Sequence, residues 1–397
     1  MTNVTLKGMS WSHPRGYDPL VAAARAWRAE RGVEIAWDRR SLQDFEDFPV
    51  DDLARRYDVM VIDHPHIGEA ASQGSLAPLD EPQRAADCAR LRAASVGPSY
   101  TSYTWAGRQW ALPIDAATQV QAVRPDLIEA PPASWREVVA LARIRLVECP
   151  MRPPHSLMTL YTLAANLGAP CAVEGPDLFD DEIGVRAVEM IRELVGLIDG
   201  ACYAKDPIDV LEAMAAPDSR IALAPLIYGY VSYARPGFRE RLLTFTDIPS
   251  AGAAGPIGSA LGGAGIAVSA FSQYRAAASD FAFWVASGPV QRGLYADAGG
   301  QPAHADAWQD ERINVEVGHF YIGTRATLEG AWLRPRHAGY LTFQRAASER
   351  LNDGLKAKES ASKIIGALNE MFRANLSALT RDKVESRGRG RQIGGAR

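Results

Sequence analysis

Residues 57–80 read YDVMVIDHPHIGEAASQGSLAPLD, and this stretch decides the fold class. The run Val59–Ile62 is apolar and mostly β-branched, which is typical of a strand buried in a core. It ends at Asp63, after which two histidines lead into a helical segment, IGEAASQGS. A carboxylate and two imidazoles after a core strand leave two interpretations. Either a ligand binds at the carboxyl end of the strand, or the loop is polar without a function.

The segments before this stretch alternate between strands and helices. A strand is predicted over Val4–Met9, a helix over PLVAAARAWRAERG with Gly32 as its stop, and a second strand over Val33–Trp37. The β-α-β-α-β order predicts a parallel sheet with right-handed crossovers. Ligands bind beyond the carboxyl ends of the strands in such sheets. The loops SWSHPRGYDP and DHPHIG both fall at that edge.

The composition excludes several classes of protein. A chain of 397 residues with 47% hydrophobic and 23% charged residues is long enough for two globular domains. A net charge of −4 gives no general attraction to nucleic acid or to anionic membranes. No apolar run reaches the roughly 18 residues that a membrane span needs. We therefore expect no nucleic-acid partner and no membrane insertion, and a basic, Gly/Arg-rich disordered tail over 381–397.

The four cysteines do not form a recognisable site. Cys88, Cys149, Cys171 and Cys202 have no CxxC spacing and no neighbouring metal ligand, so they are interpreted as small buried residues. Cys171 and Cys202 flank a predicted helix, and whether they pair is left open.

Four stretches, in this order, resemble the sugar-type extracellular solute-binding proteins of ABC importers. The opening stretch is similar to that family's strand-loop-helix ending in G-x-L-x-P-L-D. WAGRQWALPIDAATQVQAVRPDL resembles its G-K-x-Y-A-L-P crossing followed by Y-N-x-D-L, and PASWREVVALA resembles P-x-T-W-D-E-L. GGAGIAVSAFSQYRAAASDFAFWVASGPVQ is similar to the stretch in which the chain re-enters the first lobe.

This resemblance implies an α/β fold, a two-lobed periplasmic-binding-protein-like clamshell in which each lobe is a mainly parallel sheet flanked by helices. It places the first lobe at 1–112 and 261–310 and the second at 113–260 and 311–380. The implied function is capture of a small polar or anionic ligand (a sugar, polyol or carboxylate) between the lobes. An ABC permease is the implied partner if the protein is exported, and we expect a monomer.

Family members carry a signal peptide or a lipid-anchor cysteine, and the sequence as given shows neither. It therefore predicts a cytoplasmic protein as written, or a periplasmic one if the true start lies upstream. The alternative function is a cytoplasmic enzyme or ligand sensor that reuses the clamshell with a His/Asp site. No nucleophile elbow, triad order or nucleotide fingerprint is present, so binding is favoured over catalysis and no catalytic residue is predicted.

The first loop, WSHPRGYDP, contributes the aromatic and cationic candidates Trp11, His13, Arg15 and Tyr17. Aromatic faces stack on sugar rings, and a guanidinium presents a fork of donors to a carboxylate or phosphate. In the alternative interpretation Trp11 belongs to the core and Arg15 pairs with Asp18 at the surface.

The second loop contributes Asp63, His64 and His66 as candidates for hydrogen bonds to a ligand, with a capping or surface role as the alternative. Because Pro65 stiffens this tight turn, the three side chains cannot easily reach one ion, and no metal or cofactor is predicted. Asp115, in the first crossing segment, either binds the ligand or fixes the hinge.

The remaining candidates come from later segments. Tyr228 and Tyr230 share a face if their strand continues, and that face is either cleft or core. Gly263 allows a close approach of the backbone to a ligand or to the hinge. Arg334 and His337 lie in a basic-aromatic segment that can reach the same cleft. With guanidinium and imidazole donors, the site is predicted to suit an anionic or a highly hydroxylated ligand.

Overall fold

The computed structural model describes residues 4–42, 44, 48–252 and 255–393, with side chains as far as residue 378. The strands are β1 (Thr5–Trp11), β2 (Glu34–Arg40), β3 (Val59–Ile62), β4 (Leu76–Ala77), β5 (Thr104–Trp105), β6 (Arg108–Gln109), β7 (Ala111–Asp115), β8 (Gln119–Val123), β9 (Leu223–Tyr228), β10 (Thr244–Thr246) and β11 (Ala264–Ser269).

The α-helices are α1 (Pro14–Arg31), α2 (Val50–Ala54), α3 (Ile67–Ser72), α4 (Ala85–Ala94), α5 (Ser99–Ser102), α6 (Trp135–Arg143), α7 (His155–Asn166), α8 (Asp181–Val195), α9 (Pro207–Ala215), α10 (Arg275–Val285), α11 (Gly288–Val290), α12 (Ala305–Gln309), α13 (Glu311–Glu316), α14 (Phe320–Glu329), α15 (Tyr340–Lys356) and α16 (Ala361–Ile393). Short 3₁₀ turns cover His64–His66, Pro82–Arg84, Gly200–Ala204 and Val231–Ala234, and a π turn covers Gln291–Tyr295.

The first sheet has the order β2-β1-β3-β11-β4, with β7 also paired to β11. β1 is parallel to β2 and to β3, as the β-α-β-α-β order predicts. β11 is antiparallel to β3, β4 and β7. It follows β10 in the chain and joins the first sheet from a distant part of the sequence. All four residues of β3 are buried, as its apolar run predicts.

The second sheet consists of β10-β8-β9 and is antiparallel. The expectation that each lobe holds a mainly parallel sheet is therefore wrong for this lobe, and the first sheet is mixed. The physical reason is the chain path. A helical block lies between β8 and β9, and the chain returns from it to the sheet in the reverse direction.

The hydrophobic cores lie beneath the two sheets. Under the first sheet, Leu6 and Val61 pack with Phe281 of α10. Under the second sheet, Phe245 and Phe320 pack with Trp308 of α12. A further core joins α7, α8, α15 and α16, and α7 is buried along its whole length. The division into lobes at 112, 260 and 310 stays a prediction.

Local sequence signals explain several helix boundaries. The Glu137 carboxylate accepts hydrogen bonds from the backbone N–H groups of Ala133 and Ser134 at 2.8 and 2.9 Å, as part of a capping box at the start of α6. α16 has helical backbone as far as Ile393, where the sequence predicts a disordered tail over 381–397. No proline interrupts that stretch, so nothing in it removes a backbone donor from the helix. Residues 394–397 lie outside the described part.

The four cysteines are buried free thiols. None of the helices in the described ranges is long and apolar enough to cross a membrane.

Candidate functional site

A cavity lies where the carboxyl ends of β1 and β3 meet the end of β9 and the start of α7. The space between its walls, including the part that is open to solvent, is about 590 Å³. Its walls combine aromatic rings, two arginines, an aspartate, a histidine and small or apolar side chains. The lining residues are Trp11, Arg15, Leu42, Asp63, Ala117, Pro154, His155, Met158, Pro207, Tyr228, Tyr230, Gly262, Gly263, Ala264 and Arg334.

Arg15 lies in the first turn of α1 and pairs with Asp115 at the end of β7. Arg15 Nε donates to Asp115 Oδ2 at 2.8 Å, and Nη2 donates to Oδ1 at 2.7 Å. Nη1 donates to the Gly229 carbonyl oxygen, just after β9, at 2.8 Å. The guanidinium also lies 4.2 Å from the ring centre of Tyr230. Arg15 therefore connects α1 to both sheets.

The Arg15 and Asp115 side chains are almost fully buried, at 5% and 0% exposure. Burial raises the pKa of Asp115 above its usual value, although the Arg15 guanidinium acts in the opposite direction. The bidentate geometry satisfies both carboxylate oxygens, which a buried ion pair needs in order to persist.

A second ion pair joins Asp63, directly after β3, to Arg334. Arg334 Nη2 lies 2.9 and 2.7 Å from the two Asp63 oxygens, and Nη1 donates to Gln344 Oε1 at 3.1 Å. Burial alone would raise the pKa of Asp63, but the Arg334 guanidinium and a hydrogen bond with His64 hold this pKa well below its usual range. The carboxylate that ends the core strand therefore has a charge partner from a distant segment.

These two pairs make the cavity electrically neutral. Two guanidiniums are matched by two carboxylates, and the histidine that lines the wall, His155, is uncharged. Burial lowers the pKa of His155 to about 3, and the nearby Arg152 and Arg334 add to the effect. The prediction of an anionic or a highly hydroxylated ligand depended on guanidinium and imidazole donors, and the structure gives both Arg15 and Arg334 a carboxylate partner.

Seven candidates from the sequence line the cavity. They are Trp11, Arg15, Asp63, Tyr228, Tyr230, Gly263 and Arg334. Asp115 is held against it by Arg15. β9 ends at Tyr228, so Tyr228 and Tyr230 are not on one continuous strand.

The backbone of Gly263 lies close to the backbone of the segment that follows β7. Its φ is +92°, and a Cβ atom there would lie 2.4 Å from the Asp115 carbonyl oxygen. The close neighbour is therefore the crossing segment after β7, which corresponds to the hinge interpretation. The glycine also forms part of the cavity wall.

Two candidates of the first loop lie outside the cavity wall. The Nδ1 atom of His13 accepts a hydrogen bond from the Arg15 backbone N–H at 3.1 Å, which makes His13 the N-cap of α1. Tyr17 is two positions beyond Arg15 and therefore projects from another face of the helix. Its hydroxyl lies 3.4 Å from the Trp37 carbonyl oxygen.

The other three histidine candidates also lie outside the wall. His64 and His66 are buried in the turn after β3, where the His64 Nδ1 lies 3.2 Å from Asp63. His337 Nε2 lies 2.7 Å from Asn375 Oδ1 of α16. The Asp63 carboxylate next to His64 is bound to Arg334. Within the described residues, no group of three or more His, Cys, Asp or Glu side chains could hold a metal ion.

The sequence interpretation missed His155, Met158 and the other small or apolar wall residues. His155 is the first residue of α7 and follows Pro153 and Pro154. A polar side chain after a proline pair, at the start of an apolar helix, was the available signal for His155. The apolar wall residues carry no signal that separates them from core residues.

The family model described as bacterial extracellular solute-binding protein matches residues 51–317, more than half of the chain. The chain belongs to this solute-binding family. The resemblance drawn from four sequence stretches is thereby confirmed.

Solved structures share the fold of this solute-binding protein. The maltose-bound MalE3 of T. maritima is similar with a TM-score of 0.78 and 17% identity over 92% of this chain and 98% of that one. An ABC transporter solute-binding protein from Agrobacterium radiobacter K84, solved in complex with ribitol, is similar with a TM-score of 0.76. The two chains are 18% identical, and the match covers 94% of this chain and 98% of that one. An ABC transporter solute-binding protein from Thermotoga lettingae TMO, bound to α-D-tagatose, is similar with a TM-score of 0.78. The identity is 16%, over 94% of this chain and 100% of that one. The two-lobed α/β clamshell is confirmed, and the cavity lies between its two sheets.

Proposed function

We propose that this solute-binding protein captures an uncharged, hydroxyl-rich small molecule, a sugar or a polyol, in the cavity between its lobes. The observation that carries the proposal is the pairing of both cavity arginines with aspartates, next to three aromatic rings. We further propose that it delivers this solute to an ABC permease outside the cytoplasmic membrane, with the family description as the support.

The charge balance argues against an anionic ligand. An anion entering a buried site of zero formal charge loses its hydration without gaining an unpaired cation. A neutral hydroxyl has a much smaller desolvation cost and can donate to a carboxylate or accept from a guanidinium edge. Asp63, Arg334 and Arg15 supply both kinds of group to the cavity wall.

The aromatic side chains favour a ligand with an apolar face. Trp11, Tyr228 and Tyr230 line the same cavity as the two ion pairs. Sugars present C–H groups on one face and hydroxyls at their edges, which matches aromatic rings next to polar groups. Maltose, ribitol and α-D-tagatose are the compounds named for three structures of the same fold, and they support this class.

The experiment is calorimetric titration of the full chain with ribitol, D-tagatose and maltose, each matched with a charged counterpart such as ribitol 5-phosphate or tagatose 6-phosphate. We expect at least one neutral compound to bind, and its phosphate to bind at least about 10-fold more weakly, a difference of about 1.4 kcal/mol. Tyr17→Phe, outside the cavity, is the control and should bind like the unmodified chain. Tighter binding of the phosphates would contradict the proposal.

The delivery step has a separate test. A fusion of the gene, with its native upstream DNA, to alkaline phosphatase reports export because that enzyme is active only outside the cytoplasm. We expect phosphatase activity in whole cells. A fusion that stays inactive, although the protein accumulates, would contradict the extracellular site of action.

A further inference from the structure

His155 differs from the charged residues of the cavity wall because its ring nitrogens make no hydrogen bond with the described protein groups. The residue is 2% exposed, and neither Nδ1 nor Nε2 has a hydrogen-bond partner among the described residues. Arg15, Asp63 and Arg334 belong to the same wall, and each of them forms hydrogen bonds with another side chain of the protein. A buried polar group without a partner is rare and unfavourable, so its presence here needs an explanation.

His155 forms part of the cavity wall. It is the first residue of α7, a helix buried along its whole length, and it lines the cavity together with Pro154 and Met158. Its ring lies near that of Tyr228, with 6.2 Å between centroids and an angle of 69°. The apolar neighbours Pro154 and Met158 offer its nitrogens no bond, so the cavity is where a partner can come from.

We propose that His155 is a specificity-determining residue of the cavity, and that its neutral imidazole selects a ligand through a hydroxyl group. A neutral imidazole has one N–H donor and one acceptor nitrogen. A hydroxyl is able to complement either nitrogen, whereas a carboxylate only accepts and an ammonium only donates. This inference rests on the proposed function and narrows it, because it names the group on the ligand that His155 reads.

The unpaired ring of His155 also affects the stability of the chain when no ligand is present. If His155 is retained for binding, its unpaired nitrogens destabilise the folded chain, and an apolar side chain of similar size should stabilise it. If His155 instead supports the fold, the same replacement should lower stability. Thermal stability of the chain without added ligand therefore distinguishes a binding role from a structural one.

The experiment compares the unmodified chain with His155→Leu and His155→Gln by thermal unfolding, then by titration with ribitol, D-tagatose and maltose. We expect His155→Leu to raise the unliganded Tm by about 1–3 °C, given the size of the chain. We also expect it to weaken the neutral compound that binds best by at least about 10-fold. Gln keeps a donor and an acceptor, so His155→Gln should recover part of that affinity.

His13→Leu is the matched control for stability, because His13 is also buried but its Nδ1 accepts the Arg15 backbone N–H. Its Tm should fall. A lower unliganded Tm for His155→Leu, or unchanged binding of the probes by that variant, would overturn the assignment. If the unmodified chain binds none of the three compounds, the proposed sugar or polyol function fails. The change in unliganded Tm then still decides between a structural role and a residue retained for a ligand.

Discussion

At the scale of single residues, the ion pairs of the cavity depend on each partner being present. Asp63 is 13% exposed and Arg334 4% exposed in their side chains, so neither charge can be hydrated in place of its partner. The favourable part of a buried pair is offset by the cost of removing both charges from water. When one partner is removed, the other charge stays buried and dehydrated, and it no longer has the attraction of the opposite charge.

Asp63→Asn is therefore expected to lower the free energy of unfolding by about 3–5 kcal/mol, because it leaves Arg334 buried with an unmatched charge. The matched control is Asp80→Asn, whose carboxylate pairs with Arg108 at the surface, where exposures are 24% and 45%. That change should cost less than about 1 kcal/mol. Urea denaturation measures both, and equal costs for the two variants would contradict the account.

Asp63→Asn should also change the ligand preference, since it leaves one guanidinium in the cavity without a carboxylate. We expect the variant to bind tagatose 6-phosphate better, relative to D-tagatose, than the unmodified chain does. Titration of the two compounds measures this ratio. An unchanged ratio would show that the charge balance of the cavity does not set the preference.

At the scale of elements, Arg336 joins the segment between α14 and α15 to the backbone around α5. Arg336 Nη1 donates to the carbonyl oxygens of Thr101, Ser102 and Thr104 at 2.8, 2.9 and 2.9 Å. The backbone of the same segment packs on α3, where a Cβ atom at Gly68 would lie 1.8 Å from the Arg336 carbonyl oxygen. This packing positions Arg334, two residues earlier, at the cavity.

Gly68→Ala should consequently displace this segment and destabilise the chain by about 2 kcal/mol or more, because the contacting atom is backbone and cannot rotate away. The control is Gly366→Ala in α16, where the added methyl meets no described atom within 4 Å apart from its own stretch of helix. Alanine there should stabilise the helix by about 0.5–1 kcal/mol. Chemical denaturation measures both changes, and a neutral Gly68→Ala would show that the segment shifts without cost.

At the scale of the whole molecule, buried neutral histidines link stability to pH. Burial, followed by neighbouring positive charges, lowers the pKa of His13 and His155 to about 3 each. Burial and Arg334 lower the pKa of His64 to about 4. The unfolded chain takes up protons at these residues as the pH falls below about 6.5, whereas the folded chain does not.

The free energy of unfolding should therefore fall as the pH is lowered from 7.5 to 5.5. Each of the three histidines contributes about 1.4 kcal/mol over this range, or about 4 kcal/mol together. Asp63 has a lowered pKa and contributes to acid sensitivity only at lower pH, below the usual pKa of an aspartate. Urea denaturation at the two pH values checks this, and His155→Leu should reduce the difference by about one third. Equal stability at both values would contradict it.

Local patterns were sufficient to predict much of this protein. The β3 run and the body of α1 depend on neighbouring residues, so their physics is readable from a short stretch of sequence. The predicted helix started at Pro19, whereas α1 begins at Pro14, so the predicted loop that contains Arg15 is the first turn of the helix. The four ordered stretches predicted the family and the two-lobed clamshell. The polar loops at the carboxyl ends of β1 and β3 identified Arg15 and Asp63 as cavity residues.

Only the tertiary structure decided what those residues do. Arg15 and Asp115 are 100 positions apart, and Asp63 and Arg334 are 271 apart, so no local pattern predicts that each arginine neutralises an aspartate. The direction of β11 and the antiparallel second sheet depend on how distant segments return to the sheets. The sequence by itself determined the elements and the edge at which the cavity forms, because these follow from short-range periodicity. The structure decided the charge of the cavity and the unpaired ring of His155, because burial and pairing arise only when distant segments meet.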